Sequence, residues 1–265
     1  MGRLRNRAEI RRRLERERPW AVYALGDLAP GYWEHSEWYV TDEHPNAVAL
    51  IYRVGERPVL FTLGEAEALP SLLDELLPEP CLSLSIRTEH LPAVESRWHV
   101  HRCSPMWRML LDPSASTLTP GHSVIPVRPE DEPALRELFQ DGSATGEEPD
   151  FFMPPMLADG TYFALREGER LVAAAVTHLI APSEGVATIG NVYVRRTHRG
   201  LGLARSVVSA VVTELRRREI TTIALNVRQS NAAAIRVYER LGFRTYCRFL
   251  EGIAQSCTTA TPASA

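Results

Sequence analysis

Apolar and polar positions in the second half of the chain follow first a strand-like and then a helical pattern. Residues 187–194 form an apolar, β-branched run, which predicts a strand. After a short turn, apolar residues recur at helical spacing, at Leu203, Val207, Val208, Val211, Val212 and Leu215. Residues 220–227 predict a second strand, and residues 231–241 predict a short helix that ends at Gly242. The pattern therefore predicts strand, turn, helix, strand and helix in succession.

The turn before the first of these helices is rich in glycine and arginine. It reads Arg199-Gly-Leu-Gly-Leu-Ala204, and Arg195, Arg196 and His198 precede it. Glycines let successive N–H groups point into one hollow, and the helix N-terminus adds partial positive charge there. The turn therefore suggests a diphosphate ligand, although a Gly-x-Gly also serves as a tight connection without any ligand.

The turn and the last helix together resemble two motifs of the GNAT superfamily of acyl-CoA-dependent N-acetyltransferases. The first motif, Arg/Gln-x-x-Gly-x-Gly/Ala, is matched by Arg199, Gly202 and Ala204. The second, Asn-x-x-Ala-x-x-x-Tyr-x-x-x-Gly-Phe, is matched by Asn231, Ala234, Tyr238, Gly242 and Phe243. The resemblance covers residues 124–250. It implies an α/β fold with a mixed, mostly antiparallel central sheet flanked by helices.

The resemblance also implies where acetyl-CoA binds. Its pantetheine arm would lie between two parallel strands that splay apart, and backbone amides with one arginine would hold its diphosphate. The implied cofactor-binding residues are Val192, Tyr193, Val194, Arg199, Gly200, Leu201, Gly202, Leu203, Ala204 and Asn231. Asn231 is also a good helix N-cap, so it could serve in both roles.

The resemblance makes Tyr238 the general acid that protonates the departing thiolate, whereas the residue alone fits a core tyrosine equally well. The general base is open. Many relatives carry a glutamate on the strand before the phosphate turn, where this chain has Gly190 and Asn191. His178 and a water-mediated route both stay open as ways to remove a proton.

The first half of the chain predicts a degenerate copy of the same α/β unit, so that two similar domains follow in tandem. We predict a degenerate N-terminal domain at residues 1–112, a linker at 113–123, the catalytic domain at 124–250 and a disordered tail at 251–265. The equivalent of the phosphate turn carries Glu65 and Glu67 and has no arginine. Because such a turn repels a pyrophosphate, we expect the first domain to bind no cofactor and to wall the acceptor site.

Composition narrows the function further. The formal net charge of −3 argues against nucleic acid as an obligate partner, and the apolar runs are too short to span a membrane. The four cysteines lack Cys-x-x-Cys spacing, which favours reduced thiols in a cytoplasmic protein. His99, His101 and Cys103 alternate along one predicted strand without a fourth ligand, so we predict no metal site. The chain has no lysine, so guanidinium groups or backbone amides must contact any phosphate.

The leading functional hypothesis is transfer of an acetyl group from acetyl-CoA to a primary amine on a small molecule or peptide. The alternative is a non-catalytic acyl-CoA-binding module used in sensing or assembly. A dinucleotide-binding fold is disfavoured because Arg205 stands where its third glycine belongs. Phe151, Phe152 and Met153 either contact the acceptor or belong to an ordinary surface loop, and both interpretations stay open. The resemblance also allows a homodimer.

Overall fold

The computed structural model of the chain forms two compact units. One combines Met1–Trp107 with Cys247–Ala265, and the other is Arg108–Tyr246. The structure describes residues 2–41, 46–55, 57–77, 79–116, 120–147, 157 and 161–257. The first unit therefore takes in both ends of the chain, in contrast to the predicted division at residues 113–123.

Strands and helices alternate along the described residues. In chain order they are β1 (Gly2–Leu4), α1 (Arg7–Leu14), α2 (Val22–Gly26), β2 (Ser36–Val40), β3 (Ala47–Tyr52), β4 (Val59–Gly64), α3 (Leu69–Asp74), β5 (Cys81–Arg87), α4 (Leu91–Glu95), β6 (Trp98–Leu111), β7 (Ile125–Pro126), α5 (Glu132–Gln140), β8 (Phe163–Glu167), β9 (Arg170–Ala181), β10 (Val186–Val194), α6 (Leu203–Arg217), β11 (Thr222–Arg228), α7 (Ala232–Arg240) and β12 (Phe243–Ser256).

In the first unit the strand order is β1-β2-β3-β4-β5-β12-β6, and β6 and β12 each have residues in both units. From β1 to β12 the neighbouring strands are antiparallel except β4 and β5, which are parallel and are joined through α3. The arginine-rich start of the chain folds as α1, whose Glu9 pairs with Arg12 and Arg13 while Ile10 and Leu14 are fully buried. These contacts identify the basic segment as an amphipathic helix with a solvated charged face.

The second unit has the strand order β7-β8-β9-β10-β11. In this order β10 and β11 are parallel and are joined by α6, whereas β7 with β8, β8 with β9 and β9 with β10 are antiparallel. A core beneath α5 is built from Leu135, Leu138, Phe139, Tyr162, Val176 and Tyr193. Alternating apolar positions on the strands and a 3.6-residue repeat on the helices produce this packing. The predicted fold class, a mixed and mostly antiparallel sheet flanked by helices, is confirmed.

The predicted disordered tail is wrong for residues 251–256, which continue strand β12. Residues 249–255 pair antiparallel with β5, from Phe249 opposite Arg87 to Gln255 opposite Cys81. Leu250 and Ala254 enter the core of the first unit. The alternation was hard to recognise because Gly252 interrupts it at a place where a Cβ would collide with the Arg102 carbonyl. Residues 258–265 of the predicted tail lie outside the described residues.

None of the helices in the described part of the chain combines the length and the hydropathy that a membrane-spanning helix needs.

Candidate active site

Strands β10 and β11 separate at the centre of the second unit. Their parallel pairing runs from Val186 opposite Thr222 to Ile189 opposite Leu225. Both strands are fully described and continue beyond that last pair, β10 to Val194 and β11 to Arg228. On its other edge β10 stays paired with β9 as far as Val194. Residues 190–194 thus have strand geometry but lack a partner on the β11 side.

The predicted backbone contacts Val192, Tyr193 and Val194 lie along this separated stretch. The Tyr193 side chain packs in the core, however, and its hydroxyl donates a 3.0 Å hydrogen bond to the Asp141 carboxylate. The same carboxylate oxygen accepts a 2.9 Å bond from the Arg196 amide, and these contacts hold the pKa of Asp141 below its usual range. Asp141, which sequence reasoning missed, therefore fixes the turn that follows β10 to the end of α5.

The glycine-rich turn leads directly into α6. Gly200 and Gly202 have φ of +82° and +76°, which glycine adopts without strain, and Gly202 is the N-cap of α6. The first bond into the helix is donated by the Ser206 amide to the Gly202 carbonyl. Within the described ranges, the amides of residues 200–204 donate no hydrogen bond. These amides and the helix N-terminus form a site suited to an anion.

Arginines beside this turn differ in their contacts. Both terminal nitrogens of Arg199 bond to the Glu147 carboxylate, at 3.1 and 2.9 Å, and its Nε lies 3.4 Å from the Val194 carbonyl. This pairing lowers the pKa of Glu147, so the predicted diphosphate arginine already has an anionic partner. Arg205, on the first turn of α6, is exposed and has no ion pair within the described residues. It was missed as a candidate because it lies just outside the glycine motif.

Three residues separate the end of β11 at Arg228 from the start of helix α7 at Ala232. The two remaining predicted site residues, Asn231 and Tyr238, belong to this helix and its cap. Asn231 is its N-cap, and its side-chain oxygen accepts a 3.1 Å hydrogen bond from the Ala234 amide. Tyr238 is buried, with its ring edge-on to Phe243 at 6.1 Å between centroids. Burial raises the pKa of Tyr238 well above its usual range. Its hydroxyl makes no hydrogen bond to the described residues.

Two side chains that line the separation of the strands were not predicted as a pair. His178 on β9 and Asn191 on β10 are joined by a 2.8 Å hydrogen bond between Nε2 and Oδ1. Burial lowers the pKa of His178, so the ring is neutral at neutral pH. On β11, Asn226 accepts a 2.7 Å bond from Nε of the fully buried Arg108. Nothing in the local pattern indicates either contact, because each one joins different strands.

Two further predictions concern other parts of the sequence. The candidate acceptor contacts Phe151, Phe152 and Met153 lie outside the described residues. Within the described part of the chain, no three His, Cys, Asp or Glu side chains are arranged to hold a metal ion.

Comparisons with known proteins place this site in a family. The model of the acetyltransferase (GNAT) family matches residues 129–243. The [ribosomal protein bS18]-alanine N-acetyltransferase of Escherichia coli K12 is 33% identical over 108 residues, which are 38% of this chain and 71% of that enzyme. The mycothiol acetyltransferase of Geodermatophilus obscurus is 33% identical over 93 residues, which are 34% of this chain and 30% of that enzyme.

A solved structure supports the fold over a larger share of the chain. The GCN5-related N-acetyltransferase of Kribbella flavida superposes with a TM-score of 0.59 at 17% identity, over 90% of this chain and 96% of that one. The family model and the bacterial relatives identify an acetyltransferase. The chain belongs to the GNAT acetyltransferase family, and it is an N-acetyltransferase. The resemblance and the enzyme class predicted from the two motifs are both confirmed.

Proposed function

We propose that this enzyme transfers an acetyl group from acetyl-CoA to the primary amine of a small molecule or peptide. The observation that carries the proposal is the separation of β10 from β11 directly before a turn of open amides. Members of the family generally use acetyl-CoA. The names of the relatives specify an alanine of a ribosomal protein in one case and mycothiol in the other, which supports an amine acceptor of either size.

The diphosphate of acetyl-CoA is held by the amides of residues 200–204 at the start of α6. Their free N–H groups and the helix dipole favour two adjacent negative charges. Arg205 adds an exposed guanidinium on the same turn of the helix. Arg199 joins them when the diphosphate replaces the Glu147 carboxylate, because a phosphate oxygen accepts the same forked pair of hydrogen bonds.

The pantetheine arm lies along residues 190–194, where β10 has no β11 partner. Backbone groups of Val192 and Val194, which face the β11 side because Tyr193 faces Ala174 on β9, bond to the arm as a strand would. A backbone amide directed at the thioester carbonyl stabilises the negative charge that develops on its oxygen during attack by the amine. Proximity of the amine to the thioester supplies a further part of the rate.

Tyr238 protonates the departing thiolate, and the proton that the attacking amine releases passes through water and restores the phenol. Its burial keeps the phenol protonated, and its hydroxyl is not engaged by a described residue, so a proton is available there. Asn231 contacts the cofactor arm through its side-chain amide while its oxygen caps α7.

A charge substitution at the start of α6 tests this proposal. Ala204 is the second residue of α6, so Ala204→Glu favours the helix but repels a diphosphate. We expect acetyl-CoA binding, measured by calorimetry, to weaken about tenfold or more with an unchanged melting temperature. Ala8→Glu at the second position of α1 is the matched control and leaves binding unchanged.

The acceptor is tested separately by following release of free CoA with amino acids, polyamines, aminoglycosides and peptides with a free N-terminus. Amine-dependent release is expected in the wild-type protein and is expected to be lost with Ala204→Glu. Wild-type protein that binds no acetyl-CoA, or an Ala204→Glu variant that binds it as tightly as wild type, contradicts the proposal.

A further inference from the structure

Two bulges interrupt the pairing of β9 with β10, and the second reverses the shift that the first produces. Leu179 is opposite Thr188, but Thr177 is opposite Ile189, so His178 is an extra residue in β9. Val176 is then opposite Gly190, but Ala174 is opposite Tyr193, so β10 holds the extra residue there. A bulge bends its strand and redirects the groups that follow it.

The hydrogen bond between His178 and Asn191 joins these two bulges. Nε2–H of His178 donates to the Asn191 side-chain oxygen at 2.8 Å. Asn191 has φ of +43°, a conformation that costs free energy in a residue with a side chain and that needs support from its surroundings. The imidazole covers Gly190 so closely that a Cβ at that position would overlap the ring.

The second bulge lies directly after the point where β10 separates from β11. The last pair between β10 and β11 ends at Ile189, and the bulge follows within residues 190–193. The direction of the Val192 and Val194 backbone groups is therefore set by the conformation of Asn191. Because β11 no longer supports this stretch, the support comes from β9.

We propose that His178 is a positioning residue that acts through Asn191 to hold the β10 bulge, and so directs the backbone groups of Val192 and Val194 at the acyl end of acetyl-CoA. This proposal rests on the proposed function for its catalytic consequence. We call the hydrogen bond between His178 and Asn191 the clamp. It requires a hydrogen-bond donor at Nε2, and it does not require the imidazole to exchange a proton.

The surroundings of His178 fit a neutral donor. Within the described residues, no charged side chain shifts its pKa, which burial lowers and the bond to Asn191 raises in part. Tyr162 donates its hydroxyl hydrogen to the carbonyl of Thr177, the residue before His178, at 3.2 Å. A neutral ring that carries its proton on Nε2 satisfies the Asn191 oxygen throughout the neutral range.

Substitutions at both ends of the bond test the proposal. His178→Ala removes the donor, and we expect kcat to fall about tenfold or more while the Kd for CoA changes less than about threefold, because the phosphate turn is untouched. His178→Gln keeps an N–H donor near the same place, and we expect it to restore most of kcat with an unchanged shape of the pH–rate profile. A glutamine that is as inactive as alanine would indicate proton transfer and would overturn the positioning role.

Asn191 supplies the complementary test. Asn191→Gly accepts the positive φ but loses the bond, so it should reproduce the kcat loss of His178→Ala, and the double variant should lose no more than either single one. Additive losses contradict a clamp. Amide hydrogen exchange at Tyr193, which lies opposite Ala174 on β9 directly after the bulge, should become faster in the CoA-free His178→Ala and Asn191→Gly variants but not in His178→Gln. Hydrogen exchange does not depend on turnover, so it tests the clamp even if the proposed reaction is wrong. Unchanged exchange rates in all three variants would overturn the clamp.

Discussion

A phenol in a dry environment holds its proton more tightly than one in water, and Tyr238 is such a phenol. Its pKa is raised because burial disfavours the phenolate, and no described residue offers its hydroxyl a hydrogen bond. The same burial that makes the residue look structural also keeps it protonated. A protonated, unengaged hydroxyl is what a donor to a leaving thiolate requires.

Tyr238→Phe should therefore separate chemistry from binding. We expect kcat to fall about 100-fold, within the range of a lost general acid, with an unchanged Kd for acetyl-CoA. The melting temperature should change little, because the phenyl ring keeps its contact with Phe243. Since its pKa is raised, the hydroxyl stays protonated up to about pH 10, so the wild-type rate should show no loss from its ionisation below that pH.

The exposed Tyr246 provides a control, because Tyr246→Phe removes a hydroxyl from the same unit on a side chain that is 41% exposed. Wild-type kcat in Tyr238→Phe would show that the hydroxyl is not the acid, and would leave the tyrosine as a core residue.

Single residues were predictable where a motif specified them and not where a distant partner did. The glycines at 200 and 202 need positive φ, and the spacing that predicted them has a local cause. Glu147 is separated from Arg199 by 52 positions, so no local pattern reveals that they pair. Tyr193 was predicted as a cofactor contact, but strand alternation directs its side chain into the core, and its backbone pairs with Ala174 on β9.

Among the elements, the stability of helix α7 depends on the hydrogen bond that caps its first turn. The helix is short, at nine residues, and short helices rely on capping and packing for stability. Asn231 provides the cap through its oxygen, and its nitrogen is the group that could reach the cofactor. The two roles therefore use different atoms of one side chain.

Substitutions at Asn231 can separate these roles. Asn231→Ala should cost about 1 kcal/mol of unfolding free energy and also weaken acetyl-CoA binding. Asn231→Asp keeps an oxygen for the Ala234 amide, so we expect wild-type stability in denaturant unfolding but a higher KM for acetyl-CoA. Wild-type KM in the aspartate variant would mean that Asn231 is a cap alone. Asn6, which caps α1 in the first unit, is the matched control: Asn6→Ala should lose stability without any change in KM.

Elements with a clear period were found close to their true bounds. The strand predicted at residues 187–194 occupies Val186–Val194, since its end is marked by the arginine- and glycine-rich turn that follows. The bulges of β9 and β10 could not be found this way, because a bulge is defined by the register of a partner strand. The same holds for the end of pairing at Ile189, which depends on how two strands diverge in space.

Across the whole molecule, each unit contains one pair of parallel strands joined through a helix, β4 with β5 in the first unit and β10 with β11 in the second. In the first unit, side chains occupy the place where the paired strands separate. The parallel pairing of β4 with β5 ends at Phe61 opposite Ser85, although β4 continues to Gly64. The indole of Trp20 donates a 2.9 Å hydrogen bond to the Thr62 carbonyl. Trp20 is fully buried and stacks on Phe61 at 5.2 Å.

A second side chain completes this closure. His90 Nε2–H donates to the Gly64 carbonyl at 3.1 Å, so its Nδ1 accepts from the Thr62 hydroxyl at 2.9 Å. Burial lowers the pKa of His90, which favours this neutral, fully bonded form. The Thr62 and Gly64 carbonyls lie two residues apart, on one edge of β4, and side chains of the unit itself occupy both. A pantetheine arm would have to displace a buried indole and a buried imidazole to pair there.

Each chain should therefore bind one acetyl-CoA, although it has two units of similar connectivity. Calorimetry is expected to give a stoichiometry of one, and Ala204→Glu should weaken that single event without revealing a second. Trp20→Ala and His90→Ala should lower the melting temperature by leaving a cavity and unpaired carbonyls, yet leave the Kd unchanged, because the binding turn lies in the other unit. Two sites per chain, or a binding event that survives in Ala204→Glu and is lost in Trp20→Ala, would show that the first unit binds the cofactor. In that case its acidic turn at Glu65 and Glu67 would have to be neutralised by a partner or a cation, since two carboxylates beside a diphosphate repel it.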